Sequence, residues 1–410
     1  MKIATIGMQV RGGAGLSSLK LHEEFKKQGH NARFFVGKQS LNQDKVELIP
    51  TKPRYKKNWW KLGTVPLNEG VENIVSSGLA GKDTTYLENI YDWADVVLLR
   101  WVTGTLSDWQ IANWSNKKKP LVWCLSDMAP LTGGCHYSRG CTKYESNCRN
   151  CNVVSPEMHY YPSLVLERRK RLWNNITIVS PSNWLAKVAK HGSVMSTKKI
   201  HVIKTGVELD IFAPTKKEEA KRHLGISSHK TTLFFGADST GDERKGYDLL
   251  LKALETLRNK GLNDKNTQVL LAGNSEKRHS DIPFTTISLG NVSDRSKMAL
   301  AYSAADISVL PYKEDNLPNV MLESIACGTP VVAFAIGGMP DIISTNINGE
   351  LAIPFDTYDF ANCILKLIDF PLNQSEIRSW AIRNLDINSQ ASAYIKLFNN
   401  LIEARNFVNQ

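Results

Sequence analysis

The sequence predicts two α/β domains, each a doubly wound parallel sheet, and three observations carry that prediction. The chain has 410 residues, more than one ordinary core holds and suited to two domains of roughly 150 to 200 residues each. Short apolar runs rich in β-forming residues alternate with helical patterns, the signature of parallel sheets flanked by helices. The alternation occurs twice, as "KIATIGM", "ARFFVG", "DVVLLRWV", "PLVWCL" and "ITIVSPS", then as "TTLFFGA", "TQVLLAG", "DISVLPY" and "PVVAFA".

A hydrophobic content of 42% and a charged content of 22% are those of a globular chain, which excludes disorder as a reading. The seam falls at "IHVIKTGVELDIFAP", residues 200–214, where a strand gives way to Gly206, a turn and Pro214. Domains are therefore expected at 1–205 and 206–385, with a terminal helical segment, 386–410, packing back toward the first. Directly after the seam, "KKEEAKRHLGI" reads as a solvated helix, and residues 376–406 read as one last helical stretch.

The charge is unevenly divided. Residues 1–205 carry 30 Lys/Arg against 15 Asp/Glu, whereas 206–410 carry 21 against 25. Such asymmetry points the first half toward an anionic partner, such as a membrane surface, a phosphorylated acceptor or a nucleic acid, unless it is a solvated basic face. The opening "MKIATIGMQV" reads as a buried strand rather than a signal peptide, and no apolar run approaches the roughly 20 residues of a membrane span. A cytoplasmic location is expected.

Three strand-to-helix turns are rich in glycine. "VRGGAGLSSLKLHEEFKKQGH", residues 10–30, places Gly12, Gly13 and Gly15 where backbone N–H groups meet negative charge at a helix start. It lacks the spacing and the downstream acid of a dinucleotide site. "GADSTGDERKGYDLLLKALETL", residues 236–257, adds Arg244 and Lys245 before Gly246, cations suited to a departing diphosphate. "AFAIGGMPDII", residues 333–343, offers Gly337 and Gly338 to an anion in the same way. Each turn alone is equally compatible with a tight connection that binds nothing.

Between the last two lies "EDNLPNVMLESIACGTP", residues 314–330. Pro318 suits a helix start, Gly328 its end, and Val320, Met321, Leu322 and Ile325 its buried side. Asp315 then sits in the preceding loop and Glu323 near mid-helix, about 12 Å apart along a helix rise. That is too far for the paired carboxylates of a glycosidase, and suits instead two ends of an extended polar ligand.

An acid, seven residues and a Glu, followed by "SIACGTPVVAF" and a Gly-Gly turn, resemble the E-x7-E signature of family 4 retaining glycosyltransferases. "SPSNWLAK", "RKGYDLL", "VLLAGNSE", "SLGNVSD" and "AADISVLPY" agree in order and spacing. The resemblance implies the GT-B fold, two Rossmann-like domains facing a central cleft. It implies that the second domain binds a nucleoside-diphosphate sugar, UDP- or GDP-linked. Glu323 would hold the ribose and Asp315 the donor sugar, with Asn316 and Leu317 beside it. Lys245 and Arg244 would hold the diphosphate next to Gly236, and Gly290, Asn291 and Val292 would flank the base. Gly13 of the first domain would face the diphosphate. No catalytic metal is expected, because neither a D-x-D site nor an equivalent acidic cluster occurs.

The chain departs from the family pattern in three places. Asp315 stands where Glu is usual, Ala237 where many members have a phosphate-binding Arg, and Ser126 of "VWCLSDMAPLTGG" where a His precedes Asp127. Asp127 and His136 are the candidates for the acceptor side, and loop structure is the alternative.

"GGCHYSRGCTKYESNCRNC" spaces Cys135, Cys141, Cys148 and Cys151 as C-x5-C-x6-C-x2-C. Four thiols so spaced are candidate ligands of a structural zinc, with disulfides or free thiols as alternatives. A similar "TGGCHY" element occurs in members that build bacterial surface polysaccharides, which points to a glycan acceptor, lipid-linked at the inner face of the membrane. "KPRYKKNWWKLG", residues 52–63, interleaves five cations with Tyr55, Trp59 and Trp60. This composition suits an anionic membrane surface; single-stranded nucleic acid or an inward-packed loop are its alternatives, and nucleic acid is not the expected partner. The rival readings of the whole chain are a GT-B sugar-nucleotide epimerase and a non-catalytic, zinc-bearing basic binding module.

Overall fold

The computed structural model describes residues 1–39, 43–51, 59–239, 241–274 and 279–408. They form two compact units, Met1–Thr205 with Asn388–Gln410, and Gly206–Ile387.

The first unit runs β1 (Lys2–Gly7), α1 (Gly12–Lys27), β2 (Asn31–Val36), β3 (Glu47–Leu48), α2 (Trp59–Gly63), α3 (Thr84–Trp93), β4 (Val96–Leu99), α4 (Asp108–Ser115), β5 (Leu121–Cys124), α5 (Tyr161–Leu172), β6 (Thr177–Ser180), α6 (Asn183–His191) and β7 (Ile200–Val202). Its strands pair in parallel in the order β3-β2-β1-β4-β5-β6-β7. The unbroken apolar character of β4 has a direct cause: both faces of the sheet are covered. Val97 and Leu99 face one core with Trp123 and Ile178. Val96 and Leu98 face the other, with Leu21 and Phe25 of α1. That second core is completed from far along the chain by Tyr394, Leu397 and Phe398 of α13 (Ile387–Val408).

The second unit runs α7 (Lys217–His223), β8 (Thr231–Ser239), α8 (Tyr247–Asn259), β9 (Thr267–Asn274), β10 (Thr285–Ser288), α9 (Arg295–Ala304), β11 (Ile307–Leu310), α10 (Asn319–Ala326), β12 (Val331–Phe334), β13 (Gly349–Ala352), α11 (Thr357–Asp369) and α12 (Gln374–Asn384). Its parallel sheet has the order β10-β9-β8-β11-β12-β13. Both units are Rossmann-like: in each, the strand order reverses beside the first strand, between β1 and β4 and between β8 and β11. Ligands of open α/β sheets bind beyond the carboxyl ends of the strands at such a reversal.

Two helical expectations are corrected. The α7 segment is not simply solvated, since Ala220 and Lys221 are buried and Lys221 Nζ reaches Asp306 Oδ2 at 3.1 Å. The last helical stretch is two helices, α12 and α13. Between them the Val207 amide donates to the Leu385 carbonyl and the Ile387 amide to the Val207 carbonyl, so the chain there is extended. Gly206 permits this contact, because a Cβ at that position would lie 2.5 Å from Ile387 Cα.

Phe398 is fully buried, with its ring 5.9 Å from Phe25 and 5.8 Å from Tyr394. The Phe398→Ala protein is expected to lose about 3–5 kcal/mol of stability, read as a lowered midpoint in chemical denaturation of the first unit.

Candidate functional site

The carboxyl ends of β8 and β11, on either side of the second sheet's reversal, carry a close group of charged and polar side chains. Beyond β8 the chain turns through Arg244 and Lys245 into Gly246, which has φ +66° and starts α8. A Cβ on Gly246 would sit 1.8 Å from the Pro311 carbonyl oxygen, so this glycine lets the turn lie directly on the segment leaving β11. That segment supplies Tyr312 and Asp315. The Lys245 Nζ lies 4.0 Å from the centre of the Tyr312 ring, and the Tyr312 hydroxyl donates to the Gly236 carbonyl at 2.6 Å.

Asp315 joins the two loops electrostatically. Its Oδ2 accepts from Arg244 Nη1 at 2.7 Å and from Lys245 Nζ at 2.8 Å, and its Oδ1 accepts from the Asn316 amide at 2.8 Å. Arg244 is further held by the Glu314 carbonyl and by Asp242 Oδ2, each at 3.0 Å. Burial alone raises a carboxyl's pKa, but here the Lys245 ammonium, and after it the Arg244 guanidinium, outweigh it and hold Asp315 at about 2.

Glu323 is the fifth residue of α10, buried, and accepts from the Tyr302 hydroxyl at 3.0 Å. Met321, Leu322 and Ile325 form the buried side of this helix, as the sequence predicts. Pro318 is its N-cap residue rather than part of its first turn. Gly290 stands in the left-handed region at φ +63° with open space where a Cβ would be, and its carbonyl accepts from the Gly273 amide at 2.7 Å. Gly290, Asn291 and Val292 thus follow β10 on the same edge of the sheet as Gly236 and Asp315.

The Gly337–Gly338 turn lies against the protein's own main chain. A Cβ on Gly337 would lie 2.0 Å from the Asp315 carbonyl oxygen, and one on Gly338 1.8 Å from that of Asn316. These glycines bring the β12 turn against the 315–317 loop, so the close backbone approach they allow is to the protein itself. Gly15 behaves alike in the first unit, 2.5 Å from the Gln9 carbonyl by the same measure. Gly13 lies in the first turn of α1, whose N-cap residue Arg11 offers no side-chain hydrogen bond to it.

In the first unit, Asp127 and His136 are brought together. Asp127 Oδ2 lies 2.9 Å from His136 Nδ1, and its Oδ1 accepts from the Ala129 amide at 2.8 Å. The other ring nitrogen, Nε2, lies 2.9 Å from Ser76 Oγ and 3.3 Å from Thr103 Oγ1. This hydroxyl–imidazole–carboxylate chain is buried and borders a cavity beyond β4 and β5 whose lining mixes Ser76, Thr103, Ser126 and Asp127 with apolar Trp101 and Trp123. Ser126 Oγ and Trp101 Nε1 are buried there without a hydrogen-bond partner among the described residues. Sequence reasoning singled out Asp127, His136 and Ser126 but missed Ser76, Thr103 and the two tyrosines of the second unit. Nothing in spacing connects Ser76 to a histidine 60 residues later.

The zinc expectation falls on Cys135, Cys141, Cys148 and Cys151. All seven cysteines are free, and among the described residues no group of three or more His, Cys, Asp and Glu side chains is disposed to hold a metal ion. The Cys135 thiol interacts electrostatically with those of Cys151, Cys148 and Cys141. Cys148 belongs to the core around Tyr144, where burial pushes its thiol up to about 11. Cys135 and Cys151 pack instead in a separate cluster with Val75 and Val154. There the Cys135 thiol hydrogen-bonds to Cys151 and lowers its pKa. Cys141 is half-buried. Residues 52–58 and the side chains of Trp59 and Trp60, on which the membrane reading falls, lie outside the described residues. No described helix is long and apolar enough to cross a membrane.

Residues 229–369, which contain the whole Arg244–Lys245–Asp315–Glu323 group, match the family described as Glycosyl transferases group 1. The D-inositol 3-phosphate glycosyltransferase of Mycolicibacterium smegmatis is 30% identical over 184 residues, which is 42% of this chain and 40% of that protein. A Catenulispora acidiphila enzyme of the same name is 27% identical over 210 residues, 48% of this chain and 49% of that protein. The chain therefore spans less than half of the curated relatives it matches. Among solved structures, sucrose-phosphate synthase from Thermosynechococcus elongatus superposes with a TM-score of 0.70 at 18% identity, covering 98% of this chain and 99% of that one. Anabaena HepE in complex with UDP and glucose superposes with a TM-score of 0.68 at 15% identity, covering 98% and 100%. These likenesses show the fold, two Rossmann-like domains of the GT-B kind.

Because Asp315 is held at about 2, below the ordinary 3.8, its contribution is full above the unfolded value and is lost as pH falls through the folded one. The second unit is expected to lose roughly 2 kcal/mol between about pH 5 and pH 2 from this group. Guanidinium unfolding across that range checks it, and the Asp315→Asn protein should show a shallower slope.

Proposed function

We propose that the chain is a retaining glycosyltransferase that moves a sugar from a UDP- or GDP-linked donor to a hydroxyl of a glycan acceptor. The observation that carries this reading is the group Arg244–Lys245–Asp315–Glu323. It stands at the strand-order reversal of the second sheet, inside the segment that matches the group 1 family. Two cations at a glycine turn suit a diphosphate, and Glu323, one helical element away, suits the ribose hydroxyls. Asp315 with the Asn316 and Leu317 backbone takes the donor sugar, and Gly290, Asn291 and Val292 flank the base.

In this reading the acceptor oxygen attacks the anomeric carbon on the face from which the diphosphate departs. The bond from that carbon to the phosphate oxygen breaks, and the acceptor proton passes to the leaving diphosphate, giving the glycoside and a nucleoside diphosphate. Lys245 and Arg244 stabilise the charge that develops on the leaving group, and no catalytic metal is assigned. The Asp127–His136–Ser76 chain and its cavity hold the acceptor hydroxyl. The excess of cations in residues 1–205 favours an acceptor that carries negative charge. That agrees with a lipid-linked glycan of surface-polysaccharide synthesis at the inner membrane face, contacted through residues 52–63.

Thermal shift with UDP-, GDP- and ADP-sugars, followed by transfer assays with the sugar that binds, tests the reading. Lys245→Ala is expected to lower transfer at least about 100-fold and also to lower the unfolding midpoint, since Lys245 is the stronger of the two cationic partners of buried Asp315. Unchanged transfer by this variant would remove the diphosphate role of Lys245.

A further inference from the structure

Asp315 presents its two carboxylate oxygens unequally. One accepts from its neighbour's amide, while the other, Oδ2, is the shared acceptor for both Arg244 and Lys245. The carboxylate is buried, and the two cationic side chains beside it are largely buried too. The cations that a diphosphate would use are therefore already engaged by an anion of the protein.

We propose that Asp315 is an internal stand-in for the donor's diphosphate: it holds Arg244 and Lys245 in place until the diphosphate displaces it, and only then turns to the donor sugar. The inference rests on the donor-site reading above. A diphosphate placed against the same two cations would repel a carboxylate still lying between them, so one anion must leave. The main chain under Asp315 is fixed, because the carbonyls of residues 315 and 316 lie against Gly337 and Gly338 with no room for a Cβ between them. The movement thus falls to the side chain alone. Lys245 also keeps its place over the Tyr312 ring and Arg244 its bonds to Asp242 and the Glu314 carbonyl. The pair stays aimed when Asp315 lets go. Recognition of the sugar is in this way conditional on capture of the diphosphate, and a free sugar finds Asp315 occupied.

The proposal makes an unusual demand: removing an acid from the donor site must strengthen binding of part of the donor. Isothermal titration of the wild-type and Asp315→Asn proteins with inorganic pyrophosphate, UDP and GDP reads it directly. Asn keeps the shape and the acceptor for the Asn316 amide but not the charge. The variant is expected to bind pyrophosphate and the matching nucleoside diphosphate at least about fivefold tighter than wild type. It should also lose the preference for the sugar nucleotide over the bare diphosphate. Should the Asn protein fail to fold, Asp315→Ser carries the same expectation. Equal or weaker binding of these ligands by a folded variant, with binding by wild type intact, overturns the stand-in role and leaves the donor site standing. If neither protein binds pyrophosphate, UDP or GDP, the donor-site reading itself falls.

Discussion

Burying a carboxylate costs free energy that only opposite charge and hydrogen bonds can offset, and at Asp315 both come from the turn between β8 and α8. The arrangement requires two loops, one leaving β8 and one leaving β11, to meet at side-chain distance. They meet because neighbouring parallel strands release their chains at the same edge, and because Gly246 lets the first loop lie on the carbonyl of Pro311. Gly337 and Gly338 fix the second loop from behind in the same way. The positions of Arg244, Lys245 and Asp315 therefore depend on main-chain contacts that any side chain would push apart.

This changes what glycine-rich turns mean in the sequence. A glycine after a strand signals that something comes close to the backbone, but does not say whether it is a ligand or another piece of the chain. Among the described turns, Gly290 has open space around it, whereas Gly15, Gly246, Gly337 and Gly338 face neighbouring main chain. A small number of such positions do the work of a rigid frame, and the charged residues between them inherit its precision.

Much of the fold was legible because its strands are buried on both faces. Continuous apolar runs such as "VVLL" admit few other readings. The α10 helix, with Asp315 before it and Glu323 within it, was legible for a similar reason, since its apolar residues mark one side. The edge strands β3, β10 and β13 were not, because short or partly exposed segments carry little apolar signal. Contacts between distant segments were illegible in principle. Ser76 and His136, Tyr302 and Glu323, and Tyr312 and Gly236 meet only once the sheets exist. Among the four clustered cysteines, Cys148 packs in one apolar cluster and Cys135 with Cys151 in another, contacts that spacing alone does not reveal.

The helix α13 has a consequence for how the chain is made. Tyr394, Leu397 and Phe398 complete the core beneath β1 and β4, yet they follow the entire second unit, residues 206–387. During synthesis the first unit emerges with that face of its sheet covered only in part, by α1, and waits for the intervening residues to be translated. At ordinary elongation rates that interval is on the order of 10 to 40 seconds. The second unit is continuous in sequence, so its core does not wait for α13. The first unit's core is thus completed only when α13 has emerged, and a chaperone that shields Ile3, Val96 and Leu98 in the meantime would bind nascent chains stalled before residue 388 and release those that have passed residue 398.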